Sequence, residues 1–130
     1  MMTAGQHDTE IDRAFEAMRE RIRAAIWVEH GWRQIVIDAA RKIEWLEMQN
    51  PGNRIEWLEI KEWNGTLAMR YRTHDADLDE NVLGIVEDVV MAAKVRADRT
   101  CVVCGGRSDG AFEYKGDTLR VYCKQHRAAA

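Results

Sequence analysis

Three cysteines and one histidine near the C-terminal end have the types and spacing to do chemistry together. Cys101 and Cys104 form a Cys-x2-Cys pair, and eighteen residues later Cys123 and His126 form a Cys-x2-His pair. These are all the cysteines of the chain. Zinc takes four ligands in a tetrahedron, and two pairs of thiolate or imidazole donors at this spacing supply them. Four protein ligands leave no open position for water or substrate, so the pattern predicts one structural Zn2+. Gly105 and Gly106 follow the first pair and permit the tight turn that aims backbone N–H groups at sulfur.

Elsewhere the sequence offers little catalytic chemistry. His7, His30 and His74 stand alone. There is no Gly-x-Ser-x-Gly, no phosphate-cradling glycine loop, and no cysteine left over as a nucleophile. Glu56, Glu59 and Glu62 do not share one strand face. Asp75-x-Asp77-x-Asp79 opens like a calcium loop, but Glu80 stands where that loop needs glycine and Val86 where it needs glutamate. The expectation is a protein without enzyme activity.

The elements that must position the ligands follow from periodicity. Ile11, Phe15, Met18, Ile22 and Ala25 or Ile26 recur at helical spacing, predicting a first helix capped at Asp8 or Thr9 and running to about His30. Gly31 breaks it. A second helix is expected from about Trp32 to Gln49, with Trp32, Ile35, Val36, Ala39, Ile43 and Leu46 facing the core, and Asn50-Pro51-Gly52-Asn53 stopping it. Asn64-Gly65 between two β-prone runs predicts a type I′ hairpin over 54–72. In that register Trp63 meets Thr66, Glu59 meets Arg70, and Trp57 meets Arg72. Leu58, Ile60, Leu67, Met69 and Tyr71 take the core face, leaving Trp57 and Trp63 on the polar one. A third helix over about 78–97, with Asp77 and Glu80 as a capping box, carries Leu78, Val82, Ile85, Val86, Val89 and Ala93. Ala111 to Tyr122 alternates as a second hairpin, and Cys123 and His126 suit the first turn of a short helix.

The fold class is thus α+β: helices and a β-hairpin packed with a zinc finger, with a body over 1–99 and a zinc-binding module over 100–130 packed on it. Knuckle, hairpin and helix-borne last ligands resemble the treble-clef arrangement of zinc fingers. The whole chain also resembles a group of small uncharacterised bacterial and phage proteins, through Gly31-Trp32, Ile60-Lys61-Glu62, Gly65-Thr66-Leu67, Thr100-Cys101-x-x-Cys104-Gly105 and Cys123-x-x-His126. Met69-Arg70-Tyr71 and Tyr122 depart from the pattern of that group. The resemblance implies the fold, the metal and a phage connection, and leaves the activity open.

Size and charge bound the rest. The chain has 130 residues, 46% hydrophobic and 32% charged, with a single proline, which suits one modest core. No apolar run approaches the ~20 residues of a membrane span. A polar, acidic N-terminus is no secretory signal, and cysteines arranged for metal suit a reducing compartment, so a cytoplasmic location is expected (the host cytoplasm if phage-encoded). Residues 1–93 hold 11 basic against 18 acidic side chains, net −7, whereas residues 94–130 hold 8 against 4, net +4. The acidic body repels nucleic acid; the basic tail, with Arg107, Lys115, Arg120, Lys124 and Arg127 among aromatics, is the candidate to bind it. The five tryptophans are the other candidate surface. Trp45 lies off the stripe of its helix, and Trp57 and Trp63 lie on the polar hairpin face, as side chains of a protein-binding patch would. Two functions follow: a non-enzymatic zinc-stabilised protein-binding module, plausible for a phage or prophage accessory protein that binds or inhibits a host protein, or a nucleic-acid-binding zinc-finger regulator. A protein partner, nucleic acid and a homodimer are the partners considered, with no membrane.

Overall fold

A computed structural model describes residues 4–73, 79–108, 112–115 and 118–127. It is α+β, with three helices against one face of a three-stranded sheet and a small two-stranded module at the C-terminal end. Helix α1 spans Ala4–Arg21. It begins before the expected cap, so Asp8 and Thr9 lie inside it, and it ends nine residues short of His30. Phe15 and Met18 are buried on its inner side, with Ile11 and Ile22 packed beside them.

The early end of α1 has a physical cause. Ile26, Trp27 and Val28 are a short β-prone run, and Ala25–Trp27 forms strand β1. It pairs in parallel with strand β2, Ile55–Trp63, placing Ile26 beside Ile60. Ile26 is thereby buried among the core residues. A 3₁₀ turn, His30–Trp32, then leads into helix α2, Arg33–Gln49. Helix α2 is the crossover that a parallel β1–β2 pair requires. Its expected core face is observed: Trp32, Ile35, Val36, Ala39, Ile43 and Leu46 are all buried.

Strand β3, Thr66–Thr73, pairs antiparallel with β2. Asn64 and Gly65 take φ of 50° and 81°, the left-handed pair a type I′ turn needs. Trp63 meets Thr66 and Glu59 meets Arg70 as expected. Beyond Glu59 the register slips, because Leu58 is an extra residue between paired Trp57 and Glu59. This β-bulge reverses the sidedness of the strand N-terminal to it. Trp57 therefore meets Tyr71 rather than Arg72, with ring centroids 5.9 Å apart in an edge-on arrangement. Arg72 instead pairs with Glu56. Trp57 is only 8% exposed and belongs to the core, which corrects its assignment to the polar face. Leu58, expected on the core face, is only half-buried.

Helix α3, Glu80–Ala97, is capped by Asp79, whose carboxylate accepts from the Asn81 N–H at 2.8 Å. The expected cap, Asp77, and Leu78 lie outside the described residues. Val82, Val86 and Ala93 are buried, and Val89 packs against them, but Ile85 turns to solvent.

Candidate metal centre

The four sequence-predicted ligands come together. Each of Cys101, Cys104, Cys123 and His126 offers one ligand atom, and all four atoms lie within 4.8 Å of one another. Among the described residues this is the one cluster of His, Cys, Asp or Glu side chains arranged to hold a metal ion. The Cys104 and Cys123 sulfurs are 3.8 Å apart, the Cys101 sulfur is 3.7 Å from His126 Nδ1, and the Cys123 sulfur is 3.1 Å from the same nitrogen. A tetrahedral zinc with bonds of about 2.3 Å to sulfur and about 2.0 Å to nitrogen separates its ligands by about 3.8 Å (S···S) and about 3.5 Å (S···N). The donor set fits one such ion.

Local backbone chemistry makes the first half of the site. After Cys104 the chain reverses at Gly105, whose φ is +77°. The Gly105 N–H donates to the Cys101 carbonyl at 2.9 Å, and the Cys101 N–H donates to the Gly106 carbonyl at 2.8 Å. The Gly106 N–H is left pointing at the Cys104 sulfur, 3.3 Å away. The second half follows the hairpin of strands β4, Phe112–Lys115, and β5, Thr118–Val121. From Cys123 the chain makes a single turn in which the His126 and Arg127 N–H groups donate to the Cys123 carbonyl, both at 3.1 Å. That turn swings the imidazole back over the Cys123 sulfur. It stands where a short helix was expected. The Val102 N–H, donating to the Val121 carbonyl at 2.9 Å, ties the two halves together.

The electrostatics suit a cation. The His126 imidazole lowers the Cys123 thiol to about 6, against the burial that would raise it, with help from the backbone N–H groups of His126 and Gln125. Cys104 moves the other way, raised by desolvation and by the thiols around it. A divalent ion offsets the charge that disfavours the Cys104 thiolate beside its neighbours, so metal binding drives its ionisation. Cys101 is fully buried and Cys123 is 9% exposed, while Cys104 and His126 reach solvent.

Four further contacts lock the module to the body, and none of their residues declared this role in the sequence. Gly31 lies directly against the knuckle: a Cβ placed there would meet the Cys101 carbonyl oxygen at 2.1 Å and the Val102 carbonyl at 2.6 Å. Its N–H donates to the Val102 carbonyl at 2.9 Å. Trp32 is wholly buried and donates its indole N–H to the Thr100 carbonyl at 2.8 Å. Arg120 on β5 donates to Glu62 at 2.8 Å and pairs with Glu29 at 2.7 Å. Arg120 is only 9% exposed; burial alone would lower its affinity for the proton, but the two carboxylates raise it instead. Its basic side chain is thus consumed by the acidic body, which corrects its place among the nucleic-acid contacts. Leu119 N–H also reaches the Asn64 side chain at the hairpin turn, 3.0 Å away.

The remaining candidates divide. Arg107 and Lys124 are exposed beside the centre, and Arg127 is half-buried; the side chain of Lys115 lies outside the described residues. Trp45 and Trp63 are 62% and 66% exposed. Trp27 was missed as a candidate because it read as helix; it is 68% exposed. It stands beside Lys61, two residues from Trp63, on the sheet face turned away from the helices. The Lys61 ammonium lies over the Trp63 ring, 5.2 Å from its centroid. Among the described residues, no helix is long and apolar enough to cross a membrane. No protein-family model, curated protein or solved structure matches this chain.

Proposed function

We propose that the chain is a non-enzymatic protein-binding module, stabilised by one structural zinc ion held by Cys101, Cys104, Cys123 and His126 in a treble-clef-like finger. Four protein ligands complete a zinc shell, which argues against a metal-bound water and hence against metal-assisted hydrolysis at this centre. The single observation that carries the binding role is the outer face of the sheet. Trp27 and Trp63 stand exposed on either side of Lys61, with Ala25, Ala68 and Thr66 as the small residues around them. Large aromatics left in water on a sheet face favour burial against a partner. The sequence resemblance adds a phage or prophage connection, under which the partner would be a host protein.

The nucleic-acid alternative rests on Arg107, Lys115, Lys124 and Arg127, with Arg120 paired to Glu62 and Glu29. Capture from host lysate with and without nuclease discriminates the two. A protein partner retained after nuclease and lost in Trp27→Ala/Trp63→Ala supports the proposal. Recovery of nucleic acid, with binding that falls steeply with salt, supports the alternative.

A further inference from the structure

Of the three clustered cysteines, Cys104 is exposed and Cys123, though largely buried, lines the same opening beside the metal centre. An open concavity of about 300 Å³ abuts the cluster, and of the four ligands only Cys104 and Cys123 line it. Arg107 and Lys124 form part of the same wall. Cys104 is exposed, and its sulfur is 3.8 Å from that of Cys123. Cys101 is held differently. It is fully buried, its N–H and carbonyl are both bonded within the knuckle, and its carbonyl is wedged against Gly31. A small oxidant can reach Cys104 first, and Cys123 is the sulfur that lines the same concavity 3.8 Å away.

We propose that Cys104 is an oxidation site, and that its disulfide with Cys123 ejects the metal. This rests on the zinc reading above. The Cys104 thiolate attacks one oxygen of hydrogen peroxide; an S–O bond forms, the O–O bond breaks and hydroxide leaves, favoured by the Arg107 and Lys124 charges nearby. The Cys123 thiolate then attacks the Cys104 sulfur; the S–S bond forms, the S–O bond breaks and a second hydroxide leaves. Two sulfurs lose two electrons and the peroxide gains them. Cys101 and His126 remain as two ligands, too few to hold zinc in a closed shell.

The test uses the full chain loaded with zinc, its metal content measured before any oxidant is added. Limiting hydrogen peroxide is then titrated in, released zinc is read with a metallochromic indicator, and peptides are mapped without reduction. Cys101 and Cys104 share one tryptic peptide, so fragmentation between them assigns the linkage. The expected result is about one zinc released per peroxide consumed, Cys104 joined to Cys123, and Cys101 free to be alkylated after unfolding. A linkage through Cys101, or oxidation that leaves the zinc in place, overturns this inference alone. A chain that carries no zinc before oxidant overturns the metal reading as well.

Discussion

Replacing Gly31 by alanine adds one methyl group and should undock the finger. The new Cβ would lie 2.1 Å from the Cys101 carbonyl oxygen and 2.6 Å from the Val102 carbonyl carbon and oxygen. An ordinary contact begins near 3.4 Å, so the closest approach is about 1.3 Å too short, and every atom involved is backbone. No rotamer change relieves the clash, so the knuckle has to move as a body. A shift of that size breaks the 2.9 Å Gly31 N–H to Val102 bond and strains the Trp32 to Thr100 one. Overpacking costs about 1–3 kcal/mol and a lost buried hydrogen bond about 1–3 more, so a total near 3 kcal/mol is expected. For a chain of this size that is a fall in Tm of about 12 °C. Gly84→Ala is the matched control. The same methyl meets nothing within 4 Å there, in the interior of α3, and should stabilise by about 0.5–1 kcal/mol. Thermal unfolding of the zinc-loaded variants reads both. A Gly31→Ala protein melting within about 2 °C of the parent would refute the docking geometry.

Other outcomes follow from the same contacts. Trp57→Ala should cost about 3–5 kcal/mol, as truncation of a buried tryptophan does, whereas Trp63→Ala should stay within about 1 kcal/mol; equal losses in denaturant titration would contradict the bulge at Leu58. Arg120→Ala leaves Glu62 half-enclosed without its cation and should cost about 2–3 kcal/mol, while Glu29→Ala, at a more exposed carboxylate, should cost under about 1 kcal/mol. The metal should leave on acidification. Binding requires thiolates and a neutral imidazole, so it releases protons and its affinity rises with pH. With protons competing for the Cys104 and Cys123 thiolates, a zinc indicator should report retention that falls progressively as pH drops. Affinity rising toward acid would contradict the ligand assignment.

The metal site was legible because its information is local: four ligands, two short spacings and two glycines after the knuckle. The hairpin tip was equally legible, since Asn and Gly are the residues that tolerate the two left-handed positions a type I′ turn requires. What lay hidden depended on residues far apart in sequence. Leu58 carries no mark of a bulge; alternation alone put Trp57 on the wrong face, and only the packing of its ring on Tyr71 and the core decides the matter. Strand β1 is three residues long, and Ala25 and Ile26 continue the helical spacing of Ile22, so only pairing with β2 distinguishes strand from helix. Asp75, Asp77 and Asp79 alternate as possible caps, and Asp79 is held in place by Asn53, whose side chain accepts its N–H at 3.0 Å. Gly31 read as a helix breaker, while its lack of a side chain serves contact with a knuckle some seventy residues away.

X-ray absorption at the zinc edge of the purified full chain tests the central claim most directly. The expected result is one zinc per chain with three sulfurs at about 2.3 Å and one nitrogen at about 2.0 Å. A shell dominated by oxygen, or a chain that holds no stoichiometric metal, would contradict it.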